Sequence, residues 1–335
     1  ELEAANVFVR ARGNLSLQQK DDLLTRAGRI VLETPGIQSA FAFAREGGLS
    51  TRGPGGGAGS AEQLVDYVRP AHDAVKAEDA AATFVMGGIA AFNLDVLLVA
   101  RDGRDIPVRQ SWSATSETVL TRADMRGAQI AGIIDGRVLP VLRRAPFDMA
   151  SVHLYGPEAR DAARIALIER LSGKPVLSSE CGGPTLDYGG RYTEADHFRA
   201  VIERNLNVLA AGARFCLWFR LGESGGASYG NRRTALYTPD AKAKPGVYAY
   251  RALARLIGQR TRVAVVGPGH YELRGEGDGR VTIAWGNAAG ALRGADGALC
   301  LADAARGRLS ADPGACPDGA MTFAGPDVPA LLATR

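Results

Sequence analysis

Short apolar runs alternate with segments of helical periodicity along the first 258 residues, and this alternation constrains the fold more than any other feature of the chain. Repeated units of this length are typical of parallel strands joined by helical crossovers, so the sequence predicts an α/β fold. The longer segment 91–146 is predicted to hold a helix or two and an excursion. The predicted strands are 5–10, 37–44, 83–88, 149–155, 176–180 and 213–219, and the predicted helices are 16–34, 61–77, 159–171, 193–211 and 248–257.

The pattern changes to alternating strands after about residue 260. Tyr271–Arg274 and Val281–Trp285 flank the pair Asp278-Gly279, which favours the tight turn of a β-hairpin. We therefore predict two domains, an α/β domain over 1–258 and a small β-sandwich-like domain over 259–335.

Charge and composition exclude several classes of function. The chain has 40 basic and 36 acidic residues and no block of like charge, which argues against a nucleic-acid surface. No apolar run reaches the roughly 18 residues that a membrane span needs, so no membrane span is expected. The glycine-rich stretch Gly53–Gly57 is interpreted as a flexible loop rather than a phosphate-binding loop, and no cofactor is predicted.

The four cysteines fall into two pairs along the chain. Cys300 and Cys316 flank a loop rich in Gly, Asp and Pro, where a disulfide would stabilise a small domain. Cys181 and Cys216 lie at the ends of predicted strands and would serve equally well as buried thiols. No CxxC spacing is present, so no metal site is predicted. A disulfide in the tail would favour an extracellular or periplasmic location.

Glu180 is the residue with the clearest chemical implication. It ends a short apolar strand that begins after Pro175, and two glycines follow Cys181. A strand of this kind places a carboxylate at the rim of a sheet, where α/β barrel enzymes keep their catalytic groups. The alternative is a solvated glutamate, because most carboxylates are exposed.

Four segments carry a resemblance to a known group of enzymes. Pro175–Gly182 resembles the nucleophile strand of clan A glycoside hydrolases, and Phe147–Tyr155, with its His-x-Tyr ending, resembles the strand before it. Ala213–Phe219 resembles their strand 8, with its active-site tryptophan, and Lys244–Arg251 resembles the start of their closing helix. The nearest resemblance is to the β-xylosidase and α-iduronidase family and to endoglycosidases of bacterial exopolysaccharide operons.

The resemblance implies a (β/α)8 TIM-type barrel followed by a small β domain, with an acid/base at the end of strand 4 and a nucleophile at the end of strand 7. Counting back from Glu180 places Glu46 at the acid/base position. The Asn-Glu-Pro motif of the family is Arg45-Glu46-Gly47 here, and an arginine suits a carboxylate or phosphate group, such as that of an acidic sugar. In this count strands 1 and 2 of the barrel would precede Glu1, so we expect either a fragment or an incomplete barrel.

Retaining hydrolysis, which the resemblance implies, uses two carboxylates about 5 Å apart. Glu180 would be the nucleophile, kept ionised by donors such as the Tyr155 hydroxyl, and Glu46 the protonated acid. His153 would bind a sugar or orient a carboxylate, and Trp218 would form a sugar platform; the alternative for each is a structural core residue. The substrate-binding residues implied are Arg45, His153, Tyr155, Trp218, Asn93 and Glu223.

Two functions remain open from the sequence. The first is a retaining glycoside hydrolase acting on a polysaccharide or oligosaccharide, which Glu180, Tyr155 and Trp218 favour. The second is a non-catalytic carbohydrate-binding or scaffold protein on a decayed barrel, which the altered Arg45-Glu46-Gly47 triplet and the missing first strands favour. We predict the hydrolase. The sequence predicts neither the sugar, nor the linkage, nor the oligomeric state.

Overall fold

The computed structural model describes residues 61–103, 105–108, 118–183, 193–223, 234–258, 260–275, 279–326 and 328, together with the single positions 22, 25, 26, 29 and 33. The chain divides into two compact units, Glu1–Ser60 and Ala61–Arg335. In the first unit, Asp22, Thr25, Arg26 and Arg29 are helical, within the predicted helix 16–34. The predicted strands 5–10 and 37–44, the loop Gly53–Gly57, and with them Arg45 and Glu46, lie outside the described residues.

The second unit is built from α/β units followed by antiparallel strands. Its helices are α1 (Ala61–Glu78), α2 (Ala91–Asp102), α3 (Ala128–Ile133), α4 (Leu139–Arg144), α5 (Asp161–Ser172), α6 (Glu194–Ala210) and α7 (Pro245–Leu256). Its strands are β1 (Ile106–Val108), β2 (Thr118–Leu120), β3 (Ala150–Leu154), β4 (Val176–Cys181), β5 (Cys216–Trp218), β6 (Arg262–Gly267), β7 (His270–Arg274), β8 (Arg280–Ala284), β9 (Leu299–Asp303), β10 (Arg308–Ser310) and β11 (Thr322–Ala324). A π-helical turn, Ile134–Val138, joins α3 to α4, and short 3-10 helices lie at Asp124–Arg126, Glu158–Arg160, Gly286–Ala289 and Pro313–Ala315.

The strands β3, β4 and β5 form a parallel sheet in that order. The segment 85–89 runs parallel to β3 on its other side, through bridges from Val85 to Met149 and from Ile89 to Val152. Spatial order therefore follows chain order, with α5 and α6 as crossovers. The α/β prediction is confirmed. Across the described residues these strands form an open sheet and no closed barrel, whereas the resemblance implied a (β/α)8 barrel whose first strands are missing or truncated.

One face of the parallel sheet is packed against α5. Val152, Leu154 and Val176 on the strands and Ile165 and Ile168 on the helix are all fully buried. Burying each such side chain contributes about 1.5–3 kcal/mol. The ends of the crossover helices follow local rules: Gly173, with φ of 67°, ends α5, and a capping box between Thr193 and Asp196 begins α6.

The antiparallel strands form one six-stranded sheet in the order β10-β9-β11-β8-β7-β6. The predicted hairpin is present, since β7 and β8 pair from His270–Ala284 to Arg274–Arg280. Buried side chains of the sheet, among them Ile283 and Phe323, share a core with Phe198 of α6 and Leu253 of α7. The division into domains at residue 258 stays a prediction, and the sheet belongs to the same compact unit as the parallel strands.

Both cysteine pairs are bonded. The predicted disulfide between Cys300 and Cys316 is confirmed, with the Cα atoms 6.2 Å apart. Cys181 and Cys216, for which the sequence left two alternatives, are also bonded and link β4 to β5. In the part of the chain that the structure describes, no helix is long and apolar enough to cross a membrane, and no group of three or more His, Cys, Asp and Glu residues is arranged to hold a metal ion.

Candidate active site

Glu180 lies near the carboxyl end of β4, and its side chain is 31% exposed. The pairing of β3 with β4 is interrupted there, because Val152 pairs with Ser178 whereas His153 pairs with Glu180. Ser179 is thus the extra residue of a β-bulge, a feature that re-aims side chains at sheet edges. The bulge brings Glu180 to the side of the sheet on which His153 lies. Nothing in the amino-acid pattern of this strand signals the bulge.

The Tyr155 hydroxyl donates a hydrogen bond of 2.8 Å to Glu180 Oε1. Burial, and then the hydrogen bond to Glu180 and its negative charge, raise the pKa of this phenol well above its ordinary value. Tyr155 is therefore a neutral donor throughout the working pH range. The expected hydrogen bond is present, and it fixes the orientation of the Glu180 carboxyl group.

The second group at Glu180 is His153, whose Nδ1 lies 3.7 Å from Glu180 Oε2. This separation exceeds a hydrogen bond but is within the range of an ion pair when the imidazole is protonated. The ring lies directly against Gly88, where an added Cβ would overlap it. A glycine at position 88 is therefore needed for the His153 ring to lie where it does. The sequence predicted Gly88 only as the end of a strand and gave no sign of this role.

A second glycine makes room for the tyrosine. A Cβ at Gly182 would lie 2.7 Å from Tyr155 Cε1 and 2.9 Å from the Phe219 carbonyl oxygen. Distances this short do not occur between real atoms of this type, so a side chain at position 182 would displace the ring that holds Glu180. The two glycines after Cys181 predicted only a strand end. The close approach of the Tyr155 ring explains why the first of them, Gly182, has no side chain.

Trp218 lies partly buried on β5, against side chains of the helices. Its ring centre is 6.1 Å from that of Tyr250 on α7 in an edge-to-face arrangement, and its indole N–H donates to the Thr234 carbonyl oxygen at 2.6 Å. His197 of α6 is a further neighbour, at 6.5 Å between ring centres. These contacts favour the interpretation as a core tryptophan, and the role of sugar platform stays a prediction.

The remaining predicted residues lie in other surroundings. Glu223 accepts from Lys244 Nζ at 2.8 Å, and both side chains are less than one-fifth exposed. Asn93 is an exposed residue in the first turn of α2. Among the described residues, the contacts of the Glu180 side chain are those with Tyr155 and His153. The positions predicted for Arg45 and Glu46 fall outside the described residues.

The resulting arrangement is a partly exposed carboxylate at the carboxyl edge of a parallel sheet, with one oxygen bound by a neutral phenol and the other facing an imidazole. Oε1 is engaged by Tyr155, so Oε2 is the oxygen left to face a ligand. Such a group can attack an electrophilic carbon or hold a substrate hydroxyl.

No family model matches the chain, and no curated protein sequence matches it either. Among solved structures, the chain is similar to a glucosidase from Croceicoccus marinus, with 12% identity over 68% of this chain and 44% of that one and a TM-score of 0.37. It is also similar to a glycoside hydrolase family 17 β-1,3-glucanosyltransferase from Rhizomucor miehei, with 13% identity over 54% of this chain and 71% of that one and a TM-score of 0.30. The chain thus spans less than half the length of the glucosidase, and likenesses at such low TM-scores carry no conclusion about function.

Proposed function

We propose that this protein is a retaining glycoside hydrolase that cleaves glycosidic bonds of a polysaccharide or oligosaccharide, with Glu180 as the nucleophile. The observation that carries the proposal is the 2.8 Å hydrogen bond from Tyr155 to a partly exposed carboxylate at the carboxyl end of a parallel strand. A nucleophilic carboxylate must be accessible and fixed in orientation; Glu180 is partly exposed, and Tyr155 holds one of its oxygens.

In the proposed reaction Glu180 Oε2 attacks the anomeric carbon while an acid protonates the departing glycosidic oxygen. The bond from that carbon to the leaving group breaks as the ester bond to Glu180 forms. Water then attacks the same carbon. The group that first acted as the acid now acts as a base and removes a proton from this water, and Glu180 leaves as a carboxylate. Tyr155 keeps its proton throughout and binds Oε1 in both steps.

The acid/base in this proposal is Glu46, the residue that the family resemblance implies. In retaining enzymes the two carboxyl groups lie about 5–5.5 Å apart. Arg45 beside Glu46 would bind an anionic group of the substrate, which makes a sugar carrying a carboxylate the preferred class.

The Glu180→Gln variant tests the nucleophile, because it keeps the size of the side chain but removes the attacking charge. We expect its kcat/KM on aryl glycosides to fall by about 10³-fold or more. Glu78→Gln, at the exposed end of α1, is the matched control and should leave turnover unchanged. Full activity of Glu180→Gln would refute the assignment of the nucleophile.

The configuration of the first product tests the retaining mechanism separately. Proton NMR during hydrolysis should show the anomer of the substrate before mutarotation, because two displacements restore the configuration. An inverted first product would exclude a glycosyl-enzyme on Glu180. Saturable glycan binding by the wild-type protein, without hydrolysis across a broad panel of glycosides, would favour the non-catalytic alternative instead.

We also propose that the protein works in an oxidising compartment, outside the cell or in a periplasm. The disulfides Cys181–Cys216 and Cys300–Cys316 support this location, because thiols are kept reduced in most cytosols.

A further inference from the structure

Two fully buried arginines reach the backbone beside the Tyr155–Glu180 pair. Arg164 projects from α5 and Arg204 from α6, and neither side chain has any exposed surface. Asp161, equally buried, lies between them and bonds to both. We call the set Arg164, Asp161 and Arg204 the arginine clamp.

The Arg204 guanidinium joins the ends of β3 and β4. Its Nη2 donates to the carbonyl oxygen of Gly156 at 2.6 Å and to that of Gly182 at 3.1 Å. The same nitrogen lies 3.2 Å from Glu158 Oε1, while Nη1 donates to the two oxygens of Asp161 at 2.7 and 2.6 Å. One side chain therefore ties the residue after Tyr155 to the residue two positions beyond Glu180.

Arg164 holds the carbonyl oxygen of Tyr155 itself, through Nη1 at 2.8 Å. Its Nε and Nη2 donate to the two oxygens of Asp95 on α2, each at 2.8 Å. Asp161 Oδ1 accepts from Arg164 at 3.5 Å and thereby connects the two arginines. The clamp thus joins α5 to α6, and Asp95 connects it to α2.

The arginine clamp lies where the pairing of β3 with β4 ends. The last pair between β3 and β4 is Leu154 with Cys181, followed by a bond from the Gly182 N–H to the Leu154 carbonyl oxygen at 3.1 Å. The carbonyl groups of Tyr155, Gly156 and Gly182 lie at or beyond this end, where buried backbone acceptors need other partners. The arginines supply those partners and connect the two strand ends.

We infer that Arg204 and Arg164, joined through Asp161, are positioning residues that fix the Tyr155 hydroxyl against Glu180 and so set the reactivity of the nucleophile. The inference rests on the proposed function for its kinetic readout. A buried charge cluster adds little net stability compared with an apolar core; what this one adds is the set of hydrogen bonds to the Tyr155, Gly156 and Gly182 carbonyl oxygens.

Arg204→Lys tests the inference, because lysine keeps a positive charge for Asp161 but lacks the fork that reaches Gly156 and Gly182 together. We expect kcat to fall by about 10–100-fold and KM to change by less than about threefold, since small displacements at a reacting group have effects of this size. Arg199→Lys is the matched control on the same helix, in an exposed pair with Asp196, and should behave as wild type.

A double-variant cycle with Tyr155→Phe shows whether the clamp acts through the tyrosine. Arg204→Lys combined with Tyr155→Phe should be no slower than the slower single variant, because both changes remove the same contact. Wild-type kcat in Arg204→Lys, or effects of the two changes that multiply independently, would overturn the inference. If Arg204→Lys fails to fold, Arg164→Lys, which loses the bond to the Tyr155 carbonyl, takes its place in the cycle.

Amide hydrogen exchange provides a readout that needs no substrate. In Arg204→Lys the Gly182 amide should exchange faster than in wild type, while the Met86 amide, bonded to the Met149 carbonyl oxygen near the other end of β3, should be unchanged. Unchanged exchange at Gly182 would overturn the clamp. If the wild-type protein cleaves no glycoside, the proposed function is refuted but the inference about the clamp is not. The exchange rate of the Gly182 amide would then show whether the clamp holds the strand ends.

Discussion

Single atoms decide the geometry around Glu180. Gly182 leaves space for the Tyr155 ring and Gly88 leaves space for the His153 ring, so the absence of two Cβ atoms allows both contacts to the carboxylate. Neither role follows from the sequence, because both depend on which strand lies alongside. A glycine in a strand marks a close approach, but the partner becomes visible only in the fold.

Gly182→Ala is expected to impair both catalysis and folding. The new methyl group would press on Tyr155 and lengthen its bond to Glu180, so kcat should fall by about 10–100-fold. The free energy of unfolding should fall by about 1–3 kcal/mol, the range for an overpacked site. The control is Gly132→Ala in α3, where an added Cβ meets nothing within 4 Å. Wild-type turnover by Gly182→Ala would contradict the role given to Tyr155.

Glu203 on α6 should make stability depend on pH. Burial, and then the charge of Glu158, raise the pKa of its carboxyl group from 4.5 to about 7. Between these two values the folded protein binds more protons than the unfolded chain, so the free energy of unfolding falls as the pH rises through this window.

Glu203→Gln should remove this contribution. We expect the variant to gain about 1–3 kcal/mol over the wild type at pH 8 and little at pH 4, measured by urea unfolding at both values. Glu169→Gln on α5 is the control. An identical pH dependence of stability in wild type and Glu203→Gln would refute this prediction.

At the scale of elements, the helices and strands follow local signals closely. The prediction 176–180 corresponds to β4 at Val176–Cys181, and 193–211 corresponds to α6 at Glu194–Ala210, because side-chain periodicity and capping residues act over a few positions. Helix α7 begins at Pro245, three residues before the predicted start, since proline is well suited to a first helical turn. The bulge at Ser179 was not predicted, because it exists only in the pairing of β4 with β3.

The disulfide Cys300–Cys316 joins β9 to the segment after β10, closing a loop of 16 residues. In the chain-entropy account a loop of this size gives about 3 kcal/mol. Replacing both cysteines with alanine should therefore lower the free energy of urea unfolding by about that amount. Reduction of the wild-type protein offers a second comparison, and equal unfolding midpoints for wild type and variant would contradict the prediction.

At the scale of the whole molecule, α6 belongs to two packing surfaces. Its Arg204 reaches the strand ends beside Glu180, while its Phe198 and Val201 lie in the core shared with the six-stranded sheet. A further link is the hydrogen bond of 2.8 Å from the Tyr271 hydroxyl on β7 to Asn207 Oδ1. The sheet therefore covers the helix that supports the site.

Ending the chain at residue 258 should prevent folding of the remaining α/β part. The truncation would expose apolar side chains of α6 and α7, including Phe198 and Leu253, which are buried against the sheet. Circular dichroism and size-exclusion chromatography should then show an unfolded or aggregated product. A soluble, cooperatively folding 1–258 fragment would instead support two independent domains with the boundary that the sequence predicts.

Because α6 belongs to two packing surfaces, it limits how the sequence can change in evolution. The six-stranded sheet packs on α6 and α7, so an unrelated module could replace it by recombination only if it presented a complementary surface to Phe198 and Leu253. Sequence drift in the sheet should accordingly be limited at the residues that cover α6 and freer on the opposite face. Selection for chemistry at Glu180 would in this way reach strands that lie far from it in the chain.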